Sequence, residues 1–267
     1  MTTVPTAPTV ARPIGELLRE WREQRRLSQL ELSSRAEISS RHLSFVETGR
    51  SAPSRAMVLH LTEQLDVPLR ERNRLLLAAG YAPVYGETTM DAPRMAAIRA
   101  AVRQVLTGHE PYPAVVVDRA WNLLDRNASA GMFTAAVAPE LLRPPVNVLR
   151  LSLHPDGMAA RIANLGEWRA HLLGQLRRQV AVTADPQLAA LYAELCEYPG
   201  DTEEMAGSDA GGVIVPLRLR HETGELAFLS TISTFGTPLD VTVAELAIES
   251  FFPADEHTAA VLRGNSP

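Results

Sequence analysis

The chain has 267 residues, of which 46% are hydrophobic, so we expect two globular domains with packed cores. No segment approaches the roughly eighteen apolar residues of a membrane-spanning helix, and the N-terminus lacks the basic and apolar regions of a signal peptide, so the sequence predicts a cytoplasmic protein without a membrane partner. A single cysteine, Cys196, excludes an internal disulfide and a cysteine-based zinc site, and it fits a reducing compartment.

The charge of the chain is divided unevenly along its length. Residues 1–80 contain 12 Arg and 9 acidic residues, a balance of +3, whereas residues 81–267 contain 14 Arg and 22 acidic residues, a balance of −8. A basic first part and an acidic second part are typical of a chain in which only one domain approaches phosphate groups.

After a disordered tail over residues 1–12, the sequence predicts two short helices. The pattern IGELLREWREQR, which begins at Ile14, places its apolar residues on one face of the first helix. Ser28 can cap the second helix, and Glu31 follows it at the spacing of a capping box. This second helix is expected over Gln29–Ala36.

A third helix is predicted after Ser39, another capping residue, and it ends at Gly49. Its apolar residues face inward, so its polar start is free to enter a DNA major groove about 12 Å wide. The expected base-reading residues are Ser40, Arg41, Ser44 and Phe45, and the expected contacts to the DNA backbone are Gln29, Ser39, Arg50 and Arg55. Arg41 is favoured because its planar guanidinium can donate two hydrogen bonds to guanine, although a single arginine is also typical of an ordinary solvated surface.

The segment SQLELSSRAEISSRHLSFVETGRSAPS resembles the helix-turn-helix of the xenobiotic-response-element family, which includes the lambdoid phage repressors. The matching positions are Gln29, Glu31, Leu32, Ala36, Leu43, Glu47 and Gly49. Glu37 stands where many family members have glycine, so it must adopt the turn without glycine's conformational freedom. The resemblance implies two more helices, and the sequence supplies them before Gly80. We therefore expect a five-helix DNA-binding domain over residues 13–86.

The remainder of the chain predicts an α+β domain. A helix around Ile98 precedes two strands, Val115–Val117 and Trp121–Leu124, which a tight turn joins into a hairpin. Residues 128–197 have a helical period, and three β-rich segments follow: VIVPLRLRH, ELAFLSTISTFG and DVTVAELAIESFFP. About five strands are expected in one antiparallel sheet, with helices covering a face.

Several long strings resemble the MmyB-like regulators, and this resemblance spans residues 10–263. The strings are GYAPVYGE, HEPYPAVVVDRAWNLLDRN, LRLSLHPDGMAARIANLGEWR, LYAELCEYPG and TFGTPLDVTVAELAIESFFPADE. The resemblance implies a PAS-like domain over residues 87–267 that serves ligand binding and dimerisation, with fatty acids as the suggested ligand class. The composition itself does not indicate a fatty acid.

A pocket for such a ligand requires apolar side chains and a few polar groups that fix its orientation. The candidate lining residues are Trp121, Phe133, Trp168, Phe228 and Phe235, with Arg150 or His154 available to pair with a carboxylate. Large apolar side chains are more often part of a packed core, so each residue alone is weak evidence for a pocket.

Catalytic motifs are missing from the sequence. It contains no HExxH, P-loop or GxSxG, and no GxGxxG after a strand, so it predicts a protein that is not an enzyme and uses no cofactor or metal. Four scattered histidines are interpreted as structural: His109, His154, His171 and His221. Three acidic residues are expected on the solvated face of a strand: Asp240, Glu245 and Glu249.

These observations lead to the hypothesis of a homodimeric transcription regulator. Two recognition helices about 34 Å apart would bind double-stranded DNA at an inverted-repeat operator. A small apolar ligand in the second domain would change DNA affinity by binding the two forms of the protein unequally. The alternative is a second domain that only dimerises or binds a protein partner and has no ligand.

Overall fold

The computed structural model describes residues 12–183, 185–200 and 214–264, so the tail predicted over residues 1–12 lies outside this description except for its last residue. The chain divides into two compact units. Of the described residues, the first unit comprises 12–87 and 239–241, and the second comprises 88–183, 185–200, 214–238 and 242–264. None of the helices described in these ranges is long and apolar enough to cross a bilayer.

The first unit contains the five predicted helices. They are α1 (Ile14–Gln24), α2 (Gln29–Arg35), α3 (Ser40–Glu47), α4 (Arg55–Gln64) and α5 (Leu69–Ala78). Three of them begin at serines whose hydroxyls accept a backbone N–H from the first turn, at 3.1 to 3.2 Å: Ser28, Ser39 and Ser54. The predicted capping box is confirmed, because the Glu31 carboxylate also accepts the Ser28 backbone N–H at 2.7 Å.

The turn between α2 and α3 confirms the expectation for Glu37. This residue has φ 51°, in the left-handed region that favours glycine. Its carboxylate side chain is exposed, so the strain of this conformation is not increased by packing. After this turn α3 begins at Ser40, and its residues Leu43 and Val46 are fully buried in the core of the unit.

Gly15 allows α1 to pack closely against the end of α3. A Cβ atom added at this position would collide with the carbonyl oxygens of Val46 and Glu47, the second at 2.7 Å. Glycine is therefore required at this crossing for a reason of space, and α3 approaches α1 more closely than any larger residue would allow.

The second unit is α+β, as predicted, and its five strands form one antiparallel sheet. The strands are β1 (Ala114–Val117), β2 (Leu123–Arg126), β3 (Leu217–His221), β4 (Gly224–Thr234) and β5 (Ala247–Pro253), in the spatial order β2-β1-β5-β4-β3. The helices are α6 (Ala96–Gly108), α7 (Val148–Leu153), α8 (Leu165–Thr183), α9 (Pro186–Glu197) and α11 (Glu256–Leu262), and α10 (Val241–Ala244) belongs to this unit except for its first residue.

Both faces of this sheet are covered, rather than one. Val115 and Phe251 belong to a large core that includes residues of α7, α8 and α9, and we call this side the inner face. Val116 and Ile248 point to the other face, where they pack with residues of α6. This alternation follows from the two-residue period of a strand.

Several predicted elements differ in the structure. Trp121 lies outside the strand, at φ 65°, because the Asp118 carboxylate accepts the backbone N–H groups of Ala120 and Asn122, both at 2.8 Å, and so extends the turn. The segment DVTVAELAIESFFP is not a continuous strand, because its first residues form the short helix α10. Residues 129–142 contain two short 3-10 helices instead of α-helices, and the second of these begins at Pro139.

Candidate functional site

The four expected base-reading residues lie on one side of α3. Ser40 and Arg41 are exposed, and Ser44 and Phe45 are half-buried. The structure therefore brings these four side chains together on the surface of the helix, opposite its buried residues.

Phe45 lies beneath two guanidinium groups on this surface. The guanidinium carbon of Arg41 is 5.3 Å from the centre of the Phe45 ring, and that of Arg50 is 6.0 Å from it. Both distances allow a cation–π interaction, which restricts where two long side chains can point. Within the described part of the chain, the side chains of Arg41, Arg50 and Arg55 form no ion pair or hydrogen bond, so their donors are available to an external partner.

The remaining two backbone-contact candidates already have roles in the fold. Ser39 caps α3, where its hydroxyl accepts the His42 backbone N–H at 3.1 Å. The Gln29 amide donates to Oε2 of Glu47 at 2.8 Å, and within the described part of the chain its second N–H has no hydrogen-bond partner. Both residues stand at helix N-termini, where backbone N–H groups attract phosphate oxygens.

An ion pair that the sequence analysis missed fixes the position of α3. Arg22 of α1 donates to both carboxylate oxygens of Glu47, from Nε at 2.7 Å and from Nη2 at 2.9 Å, and both side chains are buried. Arg22 also donates to the Leu27 carbonyl at 2.8 Å. Together with the bond from Gln29, these contacts join α1, α2 and α3. The hydrogen bond to Glu47 is also the main reason that the pKa of Arg22 is raised.

The second unit contains a small apolar cavity on the inner face of the sheet. Its volume is about 60 Å³, and it is bounded by β1, β2, β3, β5, α7, α8 and residues 130–134. Of the predicted pocket residues, Phe133 and Trp168 line it. Four lining residues carry polar side chains: Arg126, Thr134, Ser152 and Glu249.

The structure places the other aromatic candidates away from the cavity wall. Trp121 is buried nearby and donates its indole N–H to Gln179 at 2.8 Å. Phe228 packs against Phe133, with ring centres 6.0 Å apart, and does not itself line the cavity. Phe235 packs in the cluster on the opposite face of the sheet.

Arg150 and His154, expected to pair with a ligand carboxylate, interact elsewhere. Arg150 donates to both carboxylate oxygens of Glu194 at 2.7 Å, and Tyr198 donates to Glu194 at 2.6 Å. The ring of His154 packs edge-on against Tyr198, with centres 5.0 Å apart. Burial and the bond to Glu194 raise the pKa of Tyr198 to about 12. These residues join α7 to α9 and do not line the cavity.

The expectation that Glu249 lies on the solvated face of a strand is wrong. It is buried in the central strand β5, on the same face as Phe251, and it lines the cavity. Burial raises its pKa to about 7, against the opposing effect of a hydrogen bond from Ser230. Asp240 and Glu245 flank α10 and so do not belong to a strand.

The alternation along β5 carried a signal for this position. Ala247, Glu249 and Phe251 share one face of the strand, and Phe251 is a core residue, so a strand register would have placed Glu249 inside. In the ranges that the structure covers, no group of three or more His, Cys, Asp or Glu side chains is arranged to hold a metal ion.

Comparison with known proteins gives two matches. A family model described as the MmyB-like transcription regulator ligand binding domain matches residues 98–264, which include all five strands. A second model, described as a helix-turn-helix domain, matches residues 13–75, which include α1 to α4 and most of α5. No curated protein matches the chain.

Proposed function

Because this chain belongs to the MmyB-like transcription regulators and carries a helix-turn-helix domain, we propose that it binds a specific operator through α3 under the control of a small apolar ligand. The observation that carries the DNA-binding part is the surface of α3, where the unpaired Arg41 lies over Phe45 beside two serine hydroxyls. A regulator of chromosomal genes would act in the cytoplasm.

Base reading is assigned to Ser40, Arg41, Ser44 and Phe45. Arg41 would donate two hydrogen bonds to O6 and N7 of a guanine, and Phe45 would contact a thymine methyl group. Packing over Phe45 limits the rotation of Arg41, so less conformational entropy is lost when it docks on a base.

Contacts to the DNA backbone are assigned to the residues around this surface. Arg50 and Arg55 are exposed and would neutralise phosphates, which contributes to affinity on any sequence. The backbone N–H groups at the starts of α2 and α3, beside Gln29 and Ser39, would donate to phosphate oxygens. We propose a homodimer whose two α3 helices enter successive major grooves about 34 Å apart, so the operator is an inverted repeat.

Ligand control is assigned to the cavity of the second unit. Its wall is mainly apolar, and the fatty-acid-like class that the resemblance implies matches this apolar part in its hydrocarbon chain. A volume of about 60 Å³ is below the several hundred Å³ of most ligand pockets, so the occupied form must be expanded. A ligand that selects the expanded form would shift the equilibrium between forms with different DNA affinity.

The test of base reading uses Arg41→Ala in the full-length protein. Binding to a duplex with the upstream region of its own gene is compared with binding to a shuffled duplex by fluorescence anisotropy at one salt concentration. We expect about a tenfold to hundredfold loss on the specific duplex and a smaller loss on the shuffled one. Arg143→Ala, which removes an exposed arginine from the second unit, is the matched control. Equal losses on both duplexes would make Arg41 a phosphate contact.

The small cavity volume also favours a second candidate, in which the second unit binds only its own copy or a protein partner. Native mass spectrometry of the purified protein separates the two candidates, because it reports subunit number and bound molecules together. A dimer with a lipid-sized adduct supports ligand control. A dimer that binds the duplex, carries no adduct and gains none from added amphiphiles supports the second candidate.

A further inference from the structure

We propose that the ligand of the cavity carries a protonated amine on an apolar body, and that the carboxylate of Glu249 binds this amine. The inference rests on the proposed ligand control: it keeps the hydrocarbon body of the fatty-acid-like class and replaces the carboxylate head group by an amine. Three observations support this site. They are the position of Glu249 in the sheet, the hydrogen bond that Glu249 accepts from Ser230, and the hydrogen bonds that already involve the other polar groups of the cavity wall.

Glu249 lies at the centre of the sheet, where water has little access. Its cross-strand neighbours are Val115 on β1 and Ile232 on β4, both apolar, and Phe251 follows it on the same face. Only 9% of the residue is exposed. A carboxyl group in such surroundings costs free energy unless hydrogen bonds or an opposite charge compensate for it.

The chain supplies little of this compensation. Among the residues that the structure covers, Ser230 provides the hydrogen bond that acts on the Glu249 carboxyl. An ionised carboxylate can accept about four hydrogen bonds, so acceptor positions remain beside the cavity. The raised pKa of Glu249 has the same origin, because burial without a cation disfavours its charged form.

The other polar groups of the wall already bind one another. The Ser152 hydroxyl accepts the indole N–H of Trp168 at 3.0 Å. Thr134 donates to the Gly131 carbonyl at 2.9 Å and accepts a bond from Arg126 at 3.2 Å. Of the two buried polar residues in the wall, Ser152 and Glu249, Glu249 therefore has more unused hydrogen-bonding capacity.

Arg126 is the other ionisable residue in the wall, but it does not neutralise the Glu249 carboxylate as a ligand amine would. It is exposed on the edge strand β2, two strands away from Glu249, with β1 between them. Its guanidinium bonds to Thr134 at the rim. A ligand carboxylate would therefore bind at Arg126, whereas the group that reaches Glu249 must bring hydrogen-bond donors, and a protonated amine brings both donors and a compensating charge.

Three probes of equal chain length test the assignment: hexylamine, hexanoate and hexanol, each titrated into the full-length protein by calorimetry at pH 8. We expect hexylamine to bind the wild-type protein about tenfold more tightly than the other two. In Glu249→Gln, which keeps the shape of the side chain, the preference should disappear. Glu256→Gln removes an exposed carboxylate from α11 and should retain the preference.

The pH dependence provides a second measurement with a defined sign. Hexylamine remains protonated from pH 6 to pH 8, whereas the fraction of ionised Glu249 rises about tenfold over that range, so the affinity for hexylamine should rise by about the same factor. Glu249→Gln should show no such increase. Tighter binding of hexanoate than of hexylamine, or the same preference in Glu249→Gln, would overturn the assignment and leave ligand control intact. Failure of all three probes to bind would overturn the assignment, whereas ligand control itself is decided by the presence or absence of an adduct in native mass spectrometry.

Discussion

Two buried glutamates, one in each unit, are compensated in opposite ways. Glu47 receives two hydrogen bonds from the Arg22 guanidinium and one from the Gln29 amide, so its charge is neutralised inside the chain. Glu249 is surrounded by apolar side chains, and its partner in the described structure is the neutral hydroxyl of Ser230. The first arrangement stabilises one fixed structure, whereas the second leaves a charge for another molecule to neutralise.

The largest loss of stability is expected when the buried ion pair between Arg22 and Glu47 is broken. Arg22→Met leaves the Glu47 carboxylate buried without a cation, and the free energy of unfolding should fall by about 3–5 kcal/mol. Urea unfolding followed by the circular dichroism of the helices measures this loss. Arg19→Met, which breaks an exposed pair with Glu23, should cost less than about 1 kcal/mol. Losses of equal size in the two variants would show that the buried pair has no special role.

An intermediate change in stability is expected at Glu249, and it depends on pH. Between the ordinary pKa of 4.5 and the raised value of about 7, folded Glu249 binds more protons than the unfolded chain, so this residue makes stability fall as the pH rises. Glu249→Gln should therefore be more stable than the wild type above pH 7, by about 2–3 kcal/mol, and should lose this advantage towards pH 4.5.

Urea unfolding of both proteins between pH 4.5 and 8 measures that difference, and other titrating groups cancel in it. Stability curves that run parallel across the range would show that the carboxyl is solvated in the folded protein. A protonated amine in the cavity should reduce the slope of the wild-type curve, because it stabilises the ionised form of Glu249.

The smallest effect is expected at a third glutamate, which is half-exposed. Glu194 has a lowered pKa, mainly through its hydrogen bond with Arg150, so it contributes stability above the ordinary value of 4.5 and loses it as the pH falls through the lowered pKa. Since both side chains remain partly in water, Glu194→Gln should cost less than about 1 kcal/mol at pH 7. Thermal unfolding at pH 7 and at acidic pH checks this, and a larger cost would place Glu194 in the cooperative core of the unit.

The first unit could be predicted from sequence because its signals are local. Ser28 and Glu31 are three residues apart, and the conformation of Glu37 follows from its position in a short turn. The ion pair between Arg22 and Glu47 was not predictable in this way, because 25 residues separate its members and the crossing of α1 and α3 brings them together.

In the second unit, the number of strands was predictable and the environment of each side chain was not. Glu249 is buried because β5 pairs with β1, more than a hundred residues earlier, and with β4. Similarly, the distance of Arg150 from the cavity depends on Glu194, 44 residues later. Side-chain period indicates which residues share a face, but only the order of the strands decides whether that face meets water.

The contacts that join α1, α2 and α3 have a consequence for the thermodynamics of docking. Arg22, Gln29 and Glu47 hold α3 in place in the free protein. The three helices would therefore bind DNA as one rigid body. Little backbone order then has to be created during association, so its rate should be limited by orientation and electrostatic attraction rather than by folding. The heat capacity change of DNA binding should accordingly be close to the value expected from the surface buried at the interface, without a contribution from folding.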